Sequence, residues 1–237
     1  MTQNNPAIIL IDPQLGENIG MVARAMLNCG FTDLRLVRPR DGWPSDHAAR
    51  ASSGALDKGV TVTLFDTTAA AIADFHRVYA TTARPRGLTK PVFSPEAAMK
   101  DASLRVANGE KVAVIFGPER AGLENDDIAQ ANAIISVPVN PEFASLNLGQ
   151  CVLLTAYEWR RQVEQVQHEA IEMGRTDWAN GTEVEALARH YEDTLEQAGF
   201  FFPETKADSM KLNLRNLWSR MRLTRADVQT LHGILRQ

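Results

Sequence analysis

Cysteine is nearly absent from this chain, and whole classes of protein are excluded with it. Only Cys29 and Cys151 occur in 237 residues, too few for a disulfide framework, so a reducing, cytoplasmic setting is expected. Long apolar runs are missing as well: no stretch reaches the roughly 18 residues that a bilayer crossing needs, and no membrane role is expected. The opening MTQNNPAIILID lacks the basic start and small-residue cleavage site of a secretion signal. There is no Gly-x-Gly-x-x-Gly fingerprint and no Gly-Lys-Ser/Thr phosphate loop; Gly16 and Gly20 are spaced GxxxG instead. That weighs against a dinucleotide oxidoreductase or an ordinary nucleotide hydrolase. The histidines, His47, His76, His168, His190 and His232, are scattered without ligand spacing, so each reads as a surface or satisfied histidine and no metal is expected.

Hydrophobic residues make up 44% and charged residues 23% of the chain, ordinary values for a globular protein. A formal net charge of -4 argues against a surface that grips nucleic acid everywhere, yet the charge is uneven. Between Lys206 and Arg225 six bases, Lys206, Lys211, Arg215, Arg220, Arg222 and Arg225, face one acid, Asp208. Such a stripe either contacts phosphates or is a solvated helix face.

Short β-rich runs alternate with helical patterns: AIILI at 7–11, LRLV at 34–37, VTVTLF at 60–65, RVYA at 77–80, KVAVIF at 111–116 and AIISV at 133–137. This predicts an α/β domain with a parallel sheet. Ile19, Val22, Ala23, Met26 and Leu27 share one helix face, with Asn18 placed to cap it and Gly30 to end it. A second helix is predicted from Ser94-Pro95 to Asn108-Gly109. After Arg161 the strands stop. Thr182 with Glu185 reads as a capping box, Met210, Leu214, Leu217, Trp218 and Met221 form another stripe, and Thr224 caps a last helix ending at Gly233. The expected division is a domain over 1–164 and a helical extension over 165–237, serving RNA binding, dimer support or both.

In open α/β sheets ligands sit beyond the carboxyl ends of strands, so the loops there matter most. Four stand out: DPQLGENIGMVARAM, TTARPRGLTK, FGPERAGLEND and PVNPEFASLNLGQ. They contain three ordered motifs, N-I-G-x-x-A-R-A at 18–25, F-G-x-E-x-x-G-L at 116–123 and N-P-E-x-x-S-L-N at 140–147. Through them the chain, over roughly residues 6–161, resembles the SPOUT class of S-adenosylmethionine-dependent RNA 2'-O-methyltransferases. T-x-A-R-x-R at 81–86, FFP at 201–203 and LTRADVQTLHGILR near the end make it most similar to the bacterial family that methylates nucleotide 32 of tRNA, with ribosomal RNA the alternative substrate.

The resemblance implies a deep C-terminal trefoil knot, a homodimer, transfer of methyl from S-adenosylmethionine to a ribose 2'-oxygen of tRNA, and S-adenosylhomocysteine as product. It places the cofactor among Thr81, Thr82, Ala83, Gly117, Val137, Ala144, Ser145 and Leu146, and implies catalytic roles for Arg24, Ser145, Asn147 and Asn18. Arg24 lies about 140° around its helix from Ile19, off the centre of the apolar stripe. A guanidinium stays protonated, so its expected work is holding a phosphate and stabilising the developing oxyanion, with the partner subunit's cofactor facing it. Other readings stay open here. Asn18 is a functional group or only a cap; Glu119 and Arg120 flank the pocket or form a mutual surface ion pair. Ser145 and Asn147 read as functional, because the turn otherwise needs no two polar groups at the mouth of a buried helix. A rival of another class is an RNA-binding protein that has lost catalysis.

Overall fold

All five residues of the first strand, β1 (Ala7–Ile11), are apolar and buried, because helices cover both faces of its sheet. Ile8 and Leu10 pack with Ile19, Val22, Met26, Val152 and Trp159 on one side. Ala7, Ile9 and Ile11 pack with Ala71, Leu123 and Ile128 on the other. A continuous apolar run, not an alternating one, is the mark of such a strand. Each fully buried Ile or Leu contributes about 1.5–3 kcal/mol.

The computed structural model describes residues 5–83, 89–164 and 171–236, and the chain divides into two units, Met1–Val166 and Gln167–Gln237. In the first unit β1 is followed by α1 (Gly16–Asn28), β2 (Asp33–Val37), α2 (Asp46–Ala51), α3 (Ala55–Lys58), β3 (Thr61–Phe65), α4 (Thr68–Ile72) and β4 (Arg77–Thr81). Then come β5 (Val92–Phe93), α5 (Pro95–Ala107), β6 (Val112–Phe116), α6 (Asn125–Gln130), β7 (Ala133–Ile135) and α7 (Leu148–Val163). The strands form one seven-stranded sheet in the order β3-β2-β1-β6-β4-β7-β5, and all pairings are parallel. The predicted α/β parallel sheet is therefore present, with β5 as a two-residue edge strand that periodicity did not reveal.

Two local expectations change. Helix α1 begins at Gly16 with Leu15 as its N-cap, so Asn18 lies inside the first turn, is buried, and caps nothing. The GxxxG spacing has a packing cause: a Cβ on Gly16 would stand 2.3 Å from Ser45 Oγ, and one on Gly20 would stand 2.3 Å from the Ala48 carbonyl oxygen. Side chains there would push α2 off α1. Helix α5 follows its signal closely, with Ser94 accepting from the Ala97 amide and Pro95 in the first turn.

The second unit contains α8 (Gly181–Gln197), α9 (Glu204–Arg220) and α10 (Arg225–Ile234) around Leu187, Ala188, Trp218, Leu223 and Val228. The capping box of α8 is formed by Asn180 and Glu183, not by Thr182 and Glu185, because Glu185 is engaged by Arg189 and Arg215. Thr224 does cap α10, which runs one residue past Gly233. Three of the six bases of the stripe are neutralised within the unit: Lys211 pairs with Glu196, Arg215 with Glu192 and Glu185, and Arg225 with Glu183. Arg222 lies beyond the end of α9 and stacks on Trp178, 4.4 Å from the ring centre. The histidines are not all scattered either, since His190 and His232 stack with their Nδ1 atoms 2.8 Å apart.

Candidate functional site

Strands β6, β4 and β7 are neighbours in the sheet, and the segments leaving their carboxyl ends enclose a cavity of about 230 Å³. The wall after β4 is Thr81, Thr82 and Ala83. Thr81 is buried with its hydroxyl donated to the Ile115 carbonyl at 3.0 Å, and the Thr82 amide donates to the Ile135 carbonyl at 3.1 Å. Arg84 and Arg86 of the same motif lie outside the described residues. The wall after β6 runs from Gly117 to Gly122, and the wall after β7 includes Val137 and Val139. Ala144, Ser145 and Leu146 close the cavity from the turn before α7.

All eight residues singled out for the cofactor thus line one cavity, although they come from segments up to 65 positions apart (Thr81 to Leu146). Gly117 shows why the wall needs its residue types. A Cβ there would lie 2.2 Å from the Leu123 amide nitrogen and 2.4 Å from the Gly122 carbonyl carbon, so only glycine lets the turn fold back on itself. Gly122, with φ of 67°, and the bond from its amide to the Pro118 carbonyl at 2.9 Å complete that turn.

Beside the cavity a polar relay joins the three motifs. Asn18 Nδ2 donates to Glu119 Oε1 at 2.7 Å, and Asn18 Oδ1 accepts from Asn147 Nδ2 at 3.1 Å. Glu119 also accepts from the backbone amides of Gln14 at 3.0 Å and Leu15 at 3.4 Å. A carboxylate at the start of α1 meets unpaired amides and the positive end of the helix dipole, so it is favoured there. Burying the Asn18 amide would cost free energy without these partners. Glu119 is consequently not paired with Arg120, as a mutual surface pair would require; Arg120 is exposed on the cavity wall.

Asn147 has a second task, since its Oδ1 accepts from the Gly149 amide at 2.9 Å and the Gln150 amide at 3.4 Å as the N-cap of α7. The premise that the turn has no structural need of Asn147 is corrected by this capping. Asn140 similarly caps the short 3-10 turn Pro141–Phe143, which is how two prolines lead into a helix. The Ser145 side chain makes no hydrogen bond among the described residues and borders the cavity.

Arg24 does not line this cavity. It is exposed on α1, in line with Met21, and donates to Ser53 Oγ at 3.2 Å. Helix α7 packs beside it, with Gly149 placed so that a Cβ would be 3.0 Å from Met21 Cβ. One face of α7 is buried through Val152, Ala156 and Trp159, while Leu153, Leu154 and Tyr157 are 42%, 41% and 54% exposed. The cavity also includes Phe116 and Pro118 of the second motif, and Ile135, Leu148 and Cys151; these last three look like plain core residues in the sequence. Burial pushes the Cys151 thiol up to about 11, so it lines the cavity as a neutral group.

Residues 5–157 match the SpoU rRNA methylase family. The chain belongs to that family. Residues 182–237 match the C-terminal domain of the tRNA methyltransferase TrmJ. A solved structure of TrmJ from Z. mobilis is similar at 48% identity, with a TM-score of 0.82 and 98% of each chain covered. The tRNA (cytidine/uridine-2'-O-)-methyltransferase TrmJ of Pectobacterium atrosepticum is 34% identical, over 98% of this chain and 95% of its own. The tRNA (cytidine/uridine/adenosine-2'-O-)-methyltransferase TrmJ of Pseudomonas aeruginosa is 33% identical, over 96% and 91%. The resemblance carried by the three motifs is borne out at the level of the family, which makes the chain an RNA methyltransferase. Among the described residues no helix is long and apolar enough to cross a membrane.

Proposed function

We propose that the protein transfers a methyl group from S-adenosylmethionine to a ribose 2'-oxygen of tRNA, at nucleotide 32 of the anticodon loop. The carrying observation is the cavity itself: loops from three adjacent strand ends and the turn before α7 converge on it, with the relay of Asn18, Glu119 and Asn147 beside it. The residues present fit the cofactor. Small side chains at Ala83, Gly117 and Ala144 expose backbone for an adenine edge, and Val137, Leu146 and Leu148 supply apolar walls. When bound, S-adenosylmethionine supplies an electrophilic methyl carbon on a sulfonium. The match of residues 182–237 to the TrmJ C-terminal domain favours tRNA over ribosomal RNA.

Arg24 binds an RNA phosphate near the target ribose and stabilises negative charge on the 2'-oxygen as its proton passes to solvent water. It reaches the cavity of a second subunit. Met21 on α1 and Leu153, Leu154 and Tyr157 on α7 are exposed apolar side chains on two helices that pack together, and a two-fold dimer through these helices buries them. Asn18 holds the first motif to the third directly through Asn147 and to the second through Glu119, while the Ser145 hydroxyl serves the bound ligand. The chain crossings around the cavity form the trefoil knot of the SPOUT class, and the protein works in the cytoplasm. Residues 165–237 are the extension that engages tRNA, with Lys206, Arg220 and Arg222, which have no acidic partner among the described residues, as its phosphate contacts.

The test is direct methyl transfer. Full-length protein, S-adenosylmethionine and unmodified tRNA should yield a 2'-O-methylated nucleoside, whereas a methylated base as sole product would refute the reading. A catalytically silent RNA-binding protein predicts no product at all.

A further inference from the structure

Only two charged side chains, Glu119 and Arg120, stand among the described residues that line the cavity. They differ in what they already hold. Glu119 is committed, accepting from Asn18 Nδ2 at 2.7 Å and from the Gln14 and Leu15 amides. Arg120 has no acidic partner and no side-chain hydrogen bond among the described residues. Its place is nevertheless fixed, because it sits inside the turn closed by the bond from the Gly122 amide to the Pro118 carbonyl at 2.9 Å, three residues beyond the Gly117 close approach. An uncommitted guanidinium in a cavity whose lining also includes the apolar Val137, Val139, Leu146 and Leu148 is a prepared anion site.

From this we infer that Arg120 binds the α-carboxylate at the amino-acid end of the cofactor, and so sets how tightly the cavity discriminates the whole cofactor from its nucleoside part. The inference rests on the proposed reading that this cavity takes S-adenosylmethionine. Adenine and ribose are neutral and need only backbone and apolar walls. The amino-acid end carries a carboxylate, which loses affinity if it is desolvated beside valines and leucines without a cation. A guanidinium meets a carboxylate through two parallel N–H···O bonds and remains charged at any working pH. Glu119 cannot take that end, since its charge has the same sign.

The experiment is isothermal titration of the full-length chain and its Arg120→Ala and Arg120→Lys variants with two probes. S-adenosylhomocysteine has the amino-acid end; 5'-methylthioadenosine keeps adenine, ribose and sulfur but lacks it. The expected result is a loss of about tenfold or more in S-adenosylhomocysteine affinity for Arg120→Ala, with the lysine variant recovering part of it. Affinity for 5'-methylthioadenosine should stay within about twofold of wild type for every variant. Equal weakening of both probes would mean a damaged cavity wall and would overturn the inference. So would unchanged S-adenosylhomocysteine affinity, including the case where Arg120→Ala weakens only tRNA, which would make Arg120 a phosphate contact. If the wild-type chain binds neither probe, the reading of the cavity itself fails and the inference with it; wild-type binding with an indifferent Arg120→Ala defeats the inference alone.

Discussion

A single methyl group added at Gly117 should damage both the cavity and the relay beside it. The Cβ of Gly117→Ala would stand 2.2 Å from the Leu123 nitrogen, 2.4 Å from the Gly122 carbonyl carbon and 2.8 Å from Leu123 Cα. Carbon contacts are comfortable only at about 3.5 Å or more, so the turn must open by about 1 Å. The obstructing atoms are backbone and cannot rotate away as a side-chain tip would. Overpacking of this kind costs about 1–3 kcal/mol, and for a chain of this size each kcal/mol lowers the melting temperature by about 2–4 °C. Glu119 lies two residues beyond, and moving it by 1 Å or so stretches its 2.7 Å bond to Asn18 past the limit of about 3.5 Å. Calorimetric melting and titration with S-adenosylhomocysteine read the two consequences together. A melting loss of about 2–12 °C should accompany a fall in ligand affinity of about a hundredfold. Gly181→Ala is the control, since a Cβ there meets nothing within 4 Å, and it should be neutral. Wild-type ligand affinity in Gly117→Ala would refute the placement of the ligand against this turn.

Other outcomes follow from the same geometry. Asn147→Asp keeps an oxygen to cap α7 but loses the Nδ2 donor to Asn18, so methyl transfer should fall at least about tenfold and stability by about 1–3 kcal/mol, since the buried Asn18 Oδ1 is left without its donor; Asn147→Ala should lose a further contribution of about 1 kcal/mol from the cap. Arg24→Ala removes an exposed side chain bonded to Ser53, so steady-state assays should show activity reduced by about two orders of magnitude or more with melting and S-adenosylhomocysteine binding unchanged. Mixing it with a cofactor-site variant should restore part of the activity if sites are completed across a dimer. Burial, then the charges of His190 and Arg236, hold His232 below the usual imidazole range. The unfolded chain therefore binds that proton more tightly, so the second unit is fully stable above pH about 6.5 and loses stability as pH falls below it. Melting curves of the chain and of His232→Gln from pH 8 to 5 should diverge on the acid side.

The strands were legible because the buried ones are apolar at every position, as β1 and β6 show, and α5 because Ser94-Pro95 is a local signal with a local cause. Strand β5 escaped since two residues carry no period. Cap and functional group stayed undivided for Asn18 because its chemistry is the same whether the amide caps its own helix or bonds to Glu119, 101 residues away. Thr182 and Asn180 each head an S/T/N-x-x-E pattern, and only the competing claims of Arg189 and Arg215 on Glu185 decide between them. Which bases of the stripe stay unpaired was hidden for a similar reason: the counterions Glu185, Glu192 and Glu196 sit on the preceding helix and meet Lys211 and Arg215 only in three dimensions. The cavity residues were found through the motifs; their apolar neighbours Ile135, Leu148 and Cys151 carry no mark that separates them from core.

The measurement that tests the central claim most directly is ribose-methylation mapping of tRNA from cells that lack this protein, complemented with the wild-type chain or with Arg24→Ala. The account predicts that the 2'-O-methyl group at nucleotide 32 disappears in the deletion, returns with the wild-type chain and stays absent with Arg24→Ala. An unchanged methyl group at that nucleotide in the deletion, or its full return with Arg24→Ala, would contradict it.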